Sequence, residues 1–237
     1  MKSEKYTYTP LEWDTTHFGV MCSKLVLHAE ISVEKLTDLI GQNMNVQFIT
    51  IVNEQSNPIN SRVIGEFTNA FLADINIQFQ KNILEQQISE GINITSSYPY
   101  DQKIVDLASF QVSRFIEDQK LNELGGKDVY REWLKNSFNR DDKFYATSVG
   151  SNGEINGFVL FSFASEKCII ELIAVDVNSA IKGIGSKLFK TVEAYANDRD
   201  IKVLQVGTQI RNLTAINFYH KMGCKQVGCH QVYHLWN

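Results

Sequence analysis

Cysteine is scarce and scattered: Cys22, Cys168, Cys224 and Cys229 form no paired C-x-x-C spacing. That argues against a disulfide-stapled mini-fold and fits reduced cytosolic thiols. Long apolar runs are missing too, and MKSEKYTYTPLEW lacks the apolar core of a secretory signal. A cytoplasmic protein with no membrane partner is therefore expected. Internal repeats and low-complexity tracts are absent. Positive charge is in deficit, with a formal net charge of −4, which argues against nucleic acid as partner. A local basic patch can still hold an anionic ligand. What remains is ordinary: 237 residues, 43% hydrophobic and 21% charged, suffice for one large core or two small ones.

Residues 18–27 and 46–53 are β-branched and aromatic and predict strands. Between them, Val33, Leu36, Leu39 and Ile40 share one helical face. Residues 71–79 alternate apolar and polar, the period of a half-buried strand. The first third is thus α+β, with antiparallel strands and no chemical motif. A polar stretch over 81–100 places a boundary, giving a smaller N-terminal α+β domain over 1–95 and a second domain over 96–237.

The second part opens with two helices. Asp101 is placed to cap the first, and Val129, Tyr130, Trp133, Leu134 and Phe138 form the apolar face of the second, over 127–139. A hairpin turning at Ser151-Asn152-Gly153 comes next, then a strand over 168–175 that is nearly all apolar. A helix with Ile184, Leu188, Val192, Tyr195 and Ala196 on its apolar face follows, with Glu193 elsewhere. The chain ends strand (201–206), helix (213–222, stopped by Gly223), strand.

Between the apolar strand and its helix lies Ala180-Ile181-Lys182-Gly183-Ile184-Gly185-Ser186. Two glycines at a helix N-terminus clear side chains from the amides, the geometry of a pyrophosphate site. It is neither a Walker loop nor a complete G-x-G-x-x-G, and glycines placed for packing would look the same.

Taken together, the element order and these residues resemble the GNAT (Gcn5-related) N-acetyltransferase family over about 101–237. That family has a Gln/Arg-x-x-Gly-x-Gly/Ala turn; here it reads Ala180-x-x-Gly183-x-Gly185. A second signature is Asn212-Leu213-Thr214-Ala215-Ile216-Asn217-Phe218-Tyr219, followed by Gly223. The resemblance implies a mixed, mostly antiparallel sheet flanked by helices, with acetyl-CoA as co-substrate and no metal. It implies that Ile181, Lys182, Gly183, Ile184, Gly185 and Ser186 hold the coenzyme A pyrophosphate. Ile173, Ala174 and Val175 would face the thioester arm, and Asn212, Ala215, Phe218 and Tyr219 would complete the cofactor site. A narrower resemblance, to the TDP-fucosamine acetyltransferase type, rests on Glu12-Trp13-Asp14-Thr15-Thr16-His17-Phe18-Gly19, Ser113-Arg114-Phe115, Phe144-Tyr145, Gly207-Thr208-Gln209 and Tyr233-His234-Leu235-Trp236.

Acyl transfer from a thioester to an amine needs a neutral amine, a polarised carbonyl and an acid for the departing thiolate. By resemblance Tyr219 is the acid; a helical tyrosine beside Phe218 and Met222 is equally readable as core. Glu171 is the candidate base, because a carboxylate in the run IIELIAV needs a reason; a salt bridge to a neighbouring strand is the competing one. Trp13, Asp14, Phe18 and Arg114 are candidates for the sugar-nucleotide end, Arg114 for the diphosphate. His220, Cys224, Cys229, His230 and His234 cluster near the end without zinc spacing, so no metal is expected. The expected function is N-acetylation of a nucleotide-linked amino deoxy sugar for surface polysaccharide, with a homodimer left open. The alternatives are the same chemistry on another small amine or a protein N-terminus, or a non-catalytic coenzyme A-binding module.

Overall fold

Side-chain caps set several helix starts in a computed structural model that describes residues 5–83, 90–108, 110, 112–150, 153–178 and 182–237. Ser32 accepts from the Lys35 N–H, Asn57 from Ile59 and Asn60, Asp101 from Lys103 and Ile104, and Asn212 from Ala215. Each removes orphan donors from a first helical turn.

The first part runs β1 (Tyr6–Pro10), α1 (Glu12–Phe18), β2 (Cys22–Leu27), α2 (Val33–Gly41), β3 (Phe48–Asn53), α3 (Pro58–Phe67) and β4 (Phe71–Asn82). The second runs β5 (Ile92–Ser96), α4 (Gln102–Leu107), α5 (Arg114–Glu117), α6 (Gln119–Glu123) and α7 (Val129–Ser137). It continues with β6 (Phe144–Val149), β7 (Ile155–Ala164), β8 (Lys167–Val175), α8 (Ile184–Asn197), β9 (Val203–Gln209), α9 (Leu213–Lys221) and β10 (Lys225–Trp236).

Among the described residues the ten strands join in one sheet, ordered β1-β2-β3-β10-β4-β9-β8-β7-β6-β5. Among the described residues only β2–β3 and β8–β9 pair in parallel. The chain therefore weaves across residue 95: β4 lies between β9 and β10, and β10 returns to pair with β3. One core lies under α8 and α9, built on Phe79, Phe161, Phe189, Leu188 and Leu204; another, on Leu25, Leu36, Ile51 and Ile64, lies under α2 and α3.

Some elements depart from the sequence expectation. The stretch 12–18 is helical where the pattern predicts a strand from 18, because Gly19, at φ +69°, ends α1 before β2 starts. Glu193, expected off the apolar face of α8, is fully buried, its charge met by Lys81 of β4 at 2.6 Å. A buried charge is tolerable only when matched, and this pair meets that condition. Ser151 and Asn152 of the expected turn lie outside the described residues. Among the described residues no helix is long and apolar enough to cross a membrane.

Candidate active site

The parallel pairing of β8 with β9 is short. It runs from Lys167↔Val203 to Ile170↔Val206 and stops. β8 continues to Val175 on β7, while β9 continues to Gln209 on β4. The edges of Glu171–Val175 and Gly207–Gln209 thus part, leaving the backbone N–H and C=O groups of Ile173 and Val175, which face away from β7, without strand partners among the described residues, while those of Ala174 face β7. Opposite, β7 places Leu160 on Leu172 and Phe161 on Ile170, so Glu171 is the unmatched residue of a β-bulge.

At the open end, α8 begins. Gly183 is its N-cap at φ +83°, a conformation that disfavours any side chain. Lys182 and Gly183 are exposed and Ser186 half-buried, whereas the Ile184 side chain is in the core, so Ile184 has only its backbone to offer a ligand. A methyl group placed on Gly185 would meet Phe218 at 3.5 Å and Val175 at 3.6 Å. Strand end, helix start and α9 therefore converge on one spot. Ala180 and Ile181 lie outside the described residues. Asn212 caps α9, and Ala215 packs with Phe218 against the core. Tyr219 is buried against Phe79 and Phe218, ring centroids 5.5 Å away in each case, and burial pushes its phenol above the ordinary tyrosine value.

Beside this cleft lies a cavity of about 630 Å³. Lys24, Thr50, Val52, Asn76, Gln78, His230 and Val232 line it from the strands; Trp13, Asp14, Arg114, Trp133, Arg140 and Lys143 line it from helices and loops. Cations outnumber carboxylates among these residues. The Arg114 guanidinium lies over the Phe115 ring at 4.3 Å, and its buried Nε has no hydrogen-bond partner. Burial pushes the Asp14 and Asp74 carboxyls up, a shift the Arg114 charge opposes in both. Burial pulls the Lys24 ammonium down, and Arg114 adds to that. With its amide oriented to satisfy its neighbours, Gln209 donates to the Val112 carbonyl (2.6 Å) and accepts from the Arg114 N–H (3.1 Å). Arg211 pairs with Glu117 at 2.5 Å. These two links hold the Arg114 helix against the end of β9, where the cleft opens.

Of the four residues expected at the sugar-nucleotide end, Trp13, Asp14 and Arg114 meet in this cavity. Phe18 does not; it is buried in a core with Phe115, Cys22 and Phe48. Trp133, which the sequence pattern puts on an apolar helix face, is 39% exposed and lines the cavity. Lys24, Arg140 and Lys143 are missing from the sequence expectation, and His230 enters it only as a rejected metal ligand. Lys24 interrupts the buried strand CSKLVL, a usable signal; Lys143 ends the charged run Arg140-Asp141-Asp142-Lys143, which reads as a solvated turn. Glu171 bonds Lys143 and Ser162 through Oε1, both at 2.5 Å. Among the described residues no group of three metal-ligating side chains converges.

Residues 108–224 match the Acetyltransferase (GNAT) family. This stretch is a GNAT acetyltransferase domain. A domain of this family takes its acetyl group from acetyl-CoA. The chain is 27% identical over 137 residues to the spore coat polysaccharide biosynthesis protein SpsD of Bacillus subtilis, covering 57% of this chain and 47% of that protein. It is 31% identical over 75 residues to the uncharacterized protein YxbD of the same organism, covering 32% and 46%. The chain thus spans about half the length of the curated relatives it matches. Among solved structures, a GCN5-related N-acetyltransferase from Sphaerobacter thermophilus aligns over 98% of this chain and 76% of its own (TM-score 0.63, 12% identity). A tandem GNAT protein from the clavulanic acid biosynthesis pathway aligns over 92% and 76% (TM-score 0.59, 9% identity). Both likenesses are likenesses of fold.

Proposed function

We propose that this chain is an acetyl-CoA-dependent N-acetyltransferase whose acceptor is the amino group of a nucleotide-linked, TDP-type amino deoxy sugar. In this reading residues 1–95 supply most of the acceptor floor and residues 96–237 the donor site. The observation that carries it is the adjacency of the β8–β9 opening to a cavity bearing Lys24, Arg114, Arg140, Lys143 and His230 beside Trp13 and Trp133. Cations suit a diphosphate, and a tryptophan face suits a base. SpsD, named for polysaccharide biosynthesis, supports a sugar acceptor and a role in surface polysaccharide.

The thioester arm enters between Glu171–Val175 and Gly207–Gln209, with the pyrophosphate on the amides of Lys182 to Ser186. A backbone N–H of β8 polarises the carbonyl, Glu171 receives the proton of the acceptor ammonium, and Tyr219 hydrogen-bonds the departing sulfur. Free-thiol release with acetyl-CoA and a panel of TDP-amino sugars, polyamines and peptides tests the proposal. Turnover confined to the sugars is expected. Turnover only on polyamines or peptides moves the acceptor class, and coenzyme A binding without any turnover makes the chain a binding module.

A further inference from the structure

Glu171 sits where the sheet changes geometry, unmatched on β7 and one residue past the last β9 pairing. Its side chain is only 9% exposed. Oε1 accepts from the Lys143 ammonium and the Ser162 hydroxyl, each at 2.5 Å, while the buried Oε2 has no partner. Lys143 is 18% exposed and lines the cavity, so one side chain touches both the carboxylate and the space proposed for the acceptor.

We propose that Lys143 is the positioning residue of the transfer: it fixes the Glu171 carboxylate through Oε1 and so leaves Oε2 free to take the proton of the acceptor amine. This rests on the reading of Glu171 as base. The acceptor ammonium gives a proton to Oε2, and its nitrogen lone pair forms the C–N bond at the thioester carbonyl carbon. The C–S bond breaks and the thiolate leaves as coenzyme A, taking a proton from Tyr219 or solvent; the nitrogen gives up its second proton as the amide forms, which restores the proton spent on sulfur, and the Glu171 proton returns to solvent. The Lys143 charge also disfavours a second cation beside it, which pushes the bound amine toward its neutral, nucleophilic form.

The test compares wild type with Lys143→Met, Lys143→Arg, Glu171→Gln and the Met/Gln double variant. Thiol release is followed with the amine of the panel that turns over fastest, below the melting temperature of each variant. Lys143→Met is expected to lower kcat about 10²-fold, the scale of a lost general base, with KM for acetyl-CoA unchanged. Lys143→Arg should recover most of the rate, and the double variant should be no slower than Glu171→Gln alone. Wild-type kcat in Lys143→Met beside a slow Glu171→Gln overturns the role of Lys143 and leaves Glu171 as base. A loss that Lys143→Arg does not recover, or that adds to Glu171→Gln, overturns it as well. Wild-type turnover in Glu171→Gln removes the base and this inference together.

Discussion

Ile170 and Val206 are the last residues at which β8 and β9 face each other. Each strand then follows its outer neighbour, Val175 reaching Gly157 on β7 and Gln209 reaching Asn76 on β4. The separation creates an open backbone edge inside the sheet, with hydrogen-bonding groups that no strand among the described residues has taken.

Gly183→Val should weaken acetyl-CoA binding. At φ +83° the N-cap of α8 holds a conformation that works against a side chain by roughly 1–2 kcal/mol, more for a β-branched one. Relief of that strain turns the first amides of α8 away, and an affinity loss of about tenfold or more is expected by calorimetry. Space is not the obstacle, since a methyl group placed there would meet nothing within 4 Å. Unchanged affinity would remove the turn from the cofactor site.

Tyr219→Phe should lower kcat and leave acetyl-CoA affinity nearly intact. Burial raises the phenol above its ordinary value, so it stays protonated through the neutral and mildly alkaline range and can donate to sulfur throughout. A drop on the order of 10²-fold is expected in steady-state kinetics. Wild-type turnover would return Tyr219 to the role its neighbours Phe79 and Phe218 suggest, a core aromatic.

Arg114→Ala should act on the acceptor alone. A charge-assisted hydrogen bond contributes about 1.5–3 kcal/mol, so KM for a diphosphate-bearing acceptor should rise about tenfold to a hundredfold. KM for acetyl-CoA should not move. Equal effects on both substrates would contradict the separation of the two sites.

His234 supplies a pH test of the fold. It is fully buried on β10, its Nδ1 bonded to Asp118 Oδ2 at 2.7 Å, and Trp236 Nε1 bonds the same oxygen at 3.1 Å. Burial lowers the His234 value despite that bond, and the hydrogen bonds from His234, Trp236 and the Leu121 N–H lower that of Asp118 against its desolvation. Below the ordinary histidine value, ~6.5, the unfolded chain binds a proton that the folded one refuses, so stability falls as pH drops from neutrality. The contribution of Asp118 is lost in a lower window, under the usual carboxylate range. Melting temperature should decline between about pH 7 and 5, and His234→Gln should flatten that slope. A wild-type melting temperature constant over the range would contradict the assignment.

Much of the local geometry at the start of α8 and α9 was legible in advance, because local rules govern it. Gly183, Gly185 and Asn212 lie at a strand–helix turn and a helix cap, where residue type and spacing carry the geometry. The order of strands was less legible. That β4 enters between β9 and β10 depends on pairing over more than a hundred residues, and nothing in the alternation of 71–79 names its partner. The cationic cavity was half legible: Arg114 and Trp13 came from short motifs, whereas Lys24 and Lys143 are joined only by the folded sheet. The helix Glu12–Phe18 was hidden because its aromatic residues also suit a strand.

The most direct measurement is a crystal structure with acetyl-CoA bound. The account predicts the pantetheine arm between Glu171–Val175 and Gly207–Gln209, the pyrophosphate on the N–H groups of residues 182–186, and the acetyl group beside Glu171 at the mouth of the cationic cavity. Acetyl-CoA bound elsewhere, or an acetyl group directed away from that cavity, would contradict it.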